Sequence, residues 1–320
     1  MSAVWKYLLL AFALTWMVWI PGTQLHASEV ILTFGSTGPA LAAMWLARSP
    51  DNAKPLRLRR GITFAVAWLF SWIVLGVLPP GTPALQSPFH WNPWSVPLAV
   101  FPAWILSEAW SSNAGIRGLM RTVLRPPNWR WPLIALFAMP VFLVVPALLA
   151  RAAGMPLVVP PHPNGYALLA LFGVVFFARS LLFTAMFEEP GWRGTLLPLL
   201  LRKHSPLVAS LLLWLPWMLW HAPLDLTGGM AHSLAGWIQL RVAALLCQSI
   251  LFTWLYNRSG QGLLAPILFH ASMNTFALVL PYSPPMLALL PVWVVSVVIA
   301  DRMWRGKRSE AGLLQAASAG

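Results

Sequence analysis

Phe187-Glu188-Glu189-Pro190-Gly191-Trp192-Arg193-Gly194 interrupts a run of residues otherwise suited only to lipid. Before it, Leu168 to Phe187 is almost wholly apolar apart from Arg179 and a few small hydroxyls; after it, Leu196 to Leu201 is apolar again. An acid at the centre of a membrane helix costs about 2.5–3.5 kcal/mol on insertion scales. Two in a row mark a functional site, and the rest of the chain has to supply their partners. His221, His270 and Asn274 are the polar residues available to do so.

The composition agrees with a lipid setting. Of 320 residues 58% are hydrophobic and 9% charged, against about 25% charged in a soluble domain, and the mean hydropathy is +0.69. The sequence implies an all-α, polytopic integral membrane protein. Twenty Trp and thirty Pro suit interfacial belts and helix ends. The net charge of +13 does not gather into a soluble basic domain, so nucleic acid is not implied as a partner. Cys247 is single, which excludes an intrachain disulfide.

Apolar stretches long enough to cross a bilayer predict about ten spans, near 5–21, 30–47, 61–79, 94–111, 132–150, 166–201, 206–222, 235–256, 261–280 and 285–300. The sixth exceeds one crossing and has to tilt, break or lie along the interface. Basic residues fall in alternate loops: Arg48 to Arg60, Arg117 to Arg130, Arg202 and Lys203, Arg258, and Arg302 to Arg308. The intervening loops hold Arg151 alone. By the positive-inside rule both termini are cytoplasmic, as in a multi-pass protein of a cell membrane such as a bacterial inner membrane. Lys6 and the apolar residues behind it also fit a signal peptide, whose removal leaves every later orientation unchanged. No repeat or soluble domain is visible, so 1–320 reads as one membrane domain.

Counting along helices gives depth. Glu188 lies 14 residues before Arg202 and His221 lies 17 after His204, about 21 and 25 Å into the membrane at 1.5 Å per residue. His270 is 12 residues and Asn274 is 16 residues past Arg258, about 18 and 24 Å. Three separate helices thus carry a carboxylate, two imidazoles and a carboxamide to similar depth. Glu189 and Arg193 are i,i+4 and can pair, which leaves Glu188 on a neighbouring face. Pro190 should kink the helix, and Gly191 and Gly194 allow another helix close. Trp217 is an aromatic wall one turn before His221, and His270 and Asn274 share a face. A carboxylate with imidazoles can activate water, as general base or as ligands to a zinc ion, while an amide and a second imidazole can donate to an oxyanion.

At these residues the sequence resembles the CPBP family of intramembrane proteases, the CAAX-protease and bacteriocin-processing group. Its EExxxR motif matches Glu188 to Arg193, its FxxxH motif matches Trp217 to His221 with Trp in place of Phe, and its HxxxN motif matches His270 to Asn274. The resemblance covers about 165–281, leaving 1–164 as accessory transmembrane helices. It implies an intramembrane endopeptidase in which Glu188 and His221 activate water, His270 and Asn274 hold the oxyanion, and Glu189, Arg193 and Trp217 support the site. The implied substrate is a membrane-associated peptide or lipidated protein, prenylated and CAAX-like among the options, met in the presence of membrane lipid. A zinc ion on Glu188, His221 and His270 is compatible with the family, and so is a metal-free glutamate mechanism. From another class, a non-catalytic immunity or scaffold protein, or a small-molecule transporter, fits the same buried polar pocket.

Overall fold

Helices form here because the chain offers long apolar runs with few polar alternatives, and a backbone in hydrocarbon has to satisfy its own hydrogen bonds. The computed structural model describes residues 1–27, 29–52, 54, 56–77, 95–124, 128–159, 166–227, 234–283 and 288–306. In chain order the helices are α1 (Ala3–Gln24), α2 (Glu29–Gly35), α3 (Gly38–Leu46), α4 (Arg57–Val77), α5 (Ser95–Leu98), α6 (Val100–Ser107), α7 (Ala114–Leu124) and α8 (Arg130–Ala152). They continue with α9 (Tyr166–Ser180), α10 (Met186–Gly191), α11 (Leu197–Leu201), α12 (Pro206–Trp220), α13 (Ala222–Thr227), α14 (Leu234–Arg258), α15 (Leu264–Val279) and α16 (Leu289–Ala300). Among the described residues β-pairing is confined to two isolated bridges, Asn52 with Asn113 and Val158 with Tyr282.

Among the described residues four helical stretches are long and apolar enough to cross a membrane: Ala3–Gln24, Arg57–Gly76, Arg130–Ala152 and Ala170–Leu201. Ile31–Leu46, Pro206–Trp220, Leu264–Val279 and Leu289–Ala300 are shorter apolar helices. Their outward faces are apolar: Leu58, Ile62, Val66, Leu69 and Ile73 on α4, and Leu133, Phe137, Val141, Val145 and Leu148 on α8, are all exposed. Stripes of that length have no water-compatible explanation and belong against acyl chains.

Two expected spans take a different form. The stretch 94–111 is broken into α5, α6 and a 3₁₀ turn at Glu108–Trp110, with Pro97 and Pro102 inside it, each removing a backbone donor. Glu108, which opens that turn, is buried and ion-paired with the half-exposed Arg60. The long sixth stretch does not break at Pro190. It runs as one helical segment to Leu201, with π turns at Leu181–Ala185 and Trp192–Leu196 on either side of α10. Single π turns widen a helix locally and recur at functional positions.

The core is layered around this segment. α10 packs on α3, α15 lies against α8 and α9, α12 lies against α14, and α1 is built in against α3. Tyr7, Ala11, Thr15 and Trp19 form its buried stripe, one per turn. Gly191 is where α10 meets α3 and α1. A Cβ there would lie 2.5 Å from the Tyr7 hydroxyl and 2.6 Å from both the Cβ and the carbonyl oxygen of Pro39. Backbone cannot retreat as a side chain can, so Gly191→Ala forces the helices apart at a cost of about 1–3 kcal/mol. Gly118 on α7 has open space around it, and Gly118→Ala should stabilise by a few tenths of a kcal/mol up to about 1 kcal/mol. Thermal unfolding in detergent should show the Gly191 variant melting well below wild type and the Gly118 variant at or above it.

Candidate functional site

The EE turn of α10 faces α12, α14 and α15. Glu188 is buried, and its Oε2 accepts a hydrogen bond from the Trp217 indole Nε1 at 3.0 Å. The aromatic wall expected at Trp217 is thus also a donor, which a Phe could not be. Glu189 is fully buried and does two things with one oxygen. Its Oε1 accepts from Arg193 Nη1 at 3.1 Å and from His270 Nδ1 at 2.7 Å. The i,i+4 pair expected from spacing is present, and the same carboxylate ties α10 to α15.

Arg193 has no exposed surface, and its guanidinium is sandwiched between rings, with Cζ 4.2 Å from the Trp217 centroid and 3.9 Å from that of Phe252. Aromatic faces are attractive to a desolvated cation. They compensate in part for Nε and Nη2, which make no hydrogen bond. Two carboxylates and one guanidinium form a buried set short of one positive charge, so a proton held by Glu188 or His270 completes the balance.

His221 lies at the C-terminus of α12, where the last carbonyls have lost their helical donors. Its Nδ1 donates to the Trp217 carbonyl oxygen at 2.8 Å. A carbonyl only accepts, so the proton is on Nδ1 and the Nε2 lone pair is free to take a proton or bind an electrophile. The ring is walled by Trp217, Trp220 and Trp19, with centroids 5.8, 4.8 and 6.4 Å away. His270 packs on Trp217 and Phe252 at 6.4 and 5.6 Å. The indole of Trp217 therefore touches Glu188 by its N–H and lies beside both imidazoles. Asn274, one turn past His270, donates from Nδ2 to Ser180 Oγ at 3.1 Å, which leaves its second amide hydrogen.

Several neighbours carried no sequence signal. Phe252 and Ser180 lie in unremarkable apolar runs, and Trp19 comes from α1, far from the motifs; its ring centroid is 4.4 Å from that of Trp220. Asp225, a loop residue by sequence, is instead fully buried in α13. It accepts from Trp237 Nε1 at 2.8 Å and Arg241 Nε at 2.7 Å. The lone Arg241 within an apolar helix was the available hint. The cluster lies next to His221, whose carbonyl accepts the Asp225 N–H at 3.0 Å, and it fixes the turn after α12.

A zinc ion on Glu188, His221 and His270 would need three donors gathered on one point. Among the described residues no three His, Cys, Asp or Glu side chains are so gathered. The bonds from Trp217 to Glu188 Oε2 and from His270 Nδ1 to Glu189 leave Glu188 Oε1 and both imidazole Nε2 atoms available, so it is the lack of convergence and not their occupation that decides. The donor set as arranged does not fit the ion, and no step below runs through it.

Residues 168–276 match the family model described as type II CAAX prenyl endopeptidase, Rce1-like. A protein of Methanococcus maripaludis named CAAX prenyl protease 2 is 27% identical over 146 residues, which cover 44% of this chain and 53% of that protein. The chain thus spans about half the length of that curated relative.

The bridging role of Glu189 has a measurable consequence. Glu189→Ala strands a fully buried guanidinium, and breaking a buried pair by removing one partner costs about 3–5 kcal/mol. Glu188→Ala removes only the acceptor of one indole N–H, about 1–3 kcal/mol. Melting of the purified variants should therefore rank wild type, then Glu188→Ala, then Glu189→Ala, with the last far lower.

Proposed function

We propose that this chain, whose residues 168–276 belong to the Rce1-like group of CAAX prenyl endopeptidases, is an intramembrane endopeptidase that cuts a prenylated or otherwise lipidated peptide tail. The observation that carries the reading is the Trp217 indole, which holds Glu188 by a 3.0 Å hydrogen bond while lying against His221 and His270. The names of the matched family and relative favour a CAAX-type prenyl substrate.

In the proposed reaction a water between Glu188 and the free Nε2 of His221 attacks the scissile carbonyl. Glu188 takes the water proton as it attacks. His270, its Nδ1 proton held by Glu189, presents Nε2–H to the developing oxyanion, and the second Asn274 amide hydrogen joins it. As the C–N bond breaks, Glu188 returns its proton to the departing amine; the new carboxylic acid then gives its remaining proton to the free amine, which leaves a carboxylate and an ammonium and restores the site. Burial of Glu188 and Glu189 keeps the dielectric low, which strengthens each of these interactions.

The reading is tested with purified protein and a farnesylated peptide ending in a CAAX sequence. Glu188→Gln should melt near wild type and His221→Ala below it, since the ring caps α12; each, assayed where it is folded, should cleave at least a thousandfold more slowly. Asn274→Ala should lose about 10²- to 10³-fold in kcat, as expected for one oxyanion donor. Cleavage surviving Glu188→Gln sinks the assignment, as does binding of the peptide without cleavage by wild type, which would favour a non-catalytic role.

The proposed route also needs no metal ion. Dialysis against a chelator strong enough to strip zinc should leave the cleavage rate within about twofold of the untreated protein. A rate that falls with metal content and returns on adding zinc would replace the glutamate route with a metal-assisted one.

A further inference from the structure

At the basic end of the bundle, away from the carboxylate site, a cleft of about 480 Å³ opens between the ends of α11, α14 and α16 and the start of α12. Leu201, Pro206, Trp254 and Met303 supply its apolar wall; His204, Asn257, Gln261, Arg258, Arg302 and Arg305 supply its polar one. The one acid among the lining residues, Asp301, is already neutralised: Arg258 donates to it from both Nε and Nη2. The charge that remains comes from Arg302 and Arg305, both exposed.

The backbone here is unusual. Arg302 follows α16 with φ of +47°, and Gln261 follows Gly260 at the end of α14 with φ of +66°. Each sits in a helix-ending turn closed by a six-to-one bond, Met303 N–H to Val298 O at 3.0 Å and Gln261 N–H to Tyr256 O at 2.8 Å. Left-handed positions after a helix favour glycine, because a Cβ is strained there. Both side chains so placed line the same cleft, and such strain persists at sites where the side chain has a use. The cleft is also fixed in shape. Leu207 at the start of α12 donates its N–H to the Met303 carbonyl at 2.9 Å, and Arg258, besides holding Asp301, lies 5.8 Å from the Trp131 ring centroid.

We propose that this cleft binds the phosphate of an anionic membrane phospholipid, with Arg302 and Arg305 as the charge partners and the Asn257 and Gln261 amides beside them. A free phosphate offers the same oxyanion. The lipid is favoured because the cations adjoin Trp254 and an apolar wall at the helix ends, the level of a headgroup, and basic sites on the cytoplasmic side of a bundle suit acidic lipids. This does not depend on the protease reading. A bound headgroup would brace the ends of α11, α12 and α14, whose helical segments carry the EE turn, Trp217 with His221, and Phe252.

The test is the thermal midpoint of the full chain in neutral detergent, titrated with dioctanoyl phosphatidylglycerol, dioctanoyl phosphatidylcholine or inorganic phosphate. Phosphatidylglycerol should raise the midpoint saturably, and Arg302→Gln with Arg305→Gln should weaken the apparent affinity at least tenfold. A charge-matched control, Arg57→Gln with Arg130→Gln, should leave it unchanged. Arg302→Gly should melt above wild type without lipid, because it relieves the strained φ, and yet lose most of the lipid response. Equal responses to phosphatidylcholine, or an undiminished response in the Arg302 and Arg305 variants, would overturn the site. Inorganic phosphate matching the lipid at equal concentration would overturn the lipid as its occupant.

Discussion

A charge placed in hydrocarbon has to find its counter-charge in the protein, and in this fold that constraint falls on Glu189. Its Oε1 takes hydrogen bonds from Arg193, on its own helical segment, and from His270, 81 residues further along the chain. The local bond follows from helix geometry alone. The distant one requires α15 to sit with His270 at the depth of α10, which helps to fix the relative height of the two helices, together with the bond from Asn274 to Ser180. Apolar contacts between membrane helices give little preference for one register over another, because lipid tails are as apolar as Leu. A buried carboxylate with two directional partners supplies that preference. With Glu189 so employed, Glu188 is left to the indole of Trp217 and to the open part of the site.

The same economy shows at His221. A helix that ends inside a membrane leaves carbonyls without donors, and α12 meets this with its own terminal side chain, the His221 ring donating back to the Trp217 carbonyl. The bond satisfies the helix end and at the same time decides which imidazole nitrogen carries the proton. Backbone capping and site chemistry are one feature here. The turn that follows is held separately, by Asp225 between Trp237 and Arg241.

What the sequence made legible depends on whether a feature travels with helical period. The Glu189–Arg193 pair, the shared face of His270 and Asn274 and the one-turn step from Trp217 to His221 all follow from 3.6 residues per turn, so spacing was enough. Depth counted from the basic loops brought Glu188, His221 and His270 to one level because rise per residue is constant. Phe252 and Trp19 were out of reach, since an aromatic ring in an apolar run gives no sign of which neighbour it will touch. The bridge from Glu189 to His270 was hidden for a related reason: spacing reports neighbours along a helix, not across one. Hydropathy likewise counts apolar length but not helix ends, and so it read 94–111 as one span where Pro97 and Pro102 divide it.

The departure of this chain from the family pattern falls at the residue that joins the site together. Where the resembled motif has Phe, Trp217 adds an N–H to the same aromatic bulk, and that N–H is bonded to Glu188. A hydrogen bond to a carboxylate constrains which oxygen faces the open side, and bonds to charged groups are worth about 1.5–3 kcal/mol. With Phe, Glu188 would need another donor or a water to fix its rotamer in the same burial. With Trp, one side chain orients the Glu188 carboxylate by its edge and stacks on Arg193, the partner of Glu189, by its face, so both carboxylates are positioned through a single ring. The substitution that looked neutral in the motif is the one that couples Glu188 to Glu189.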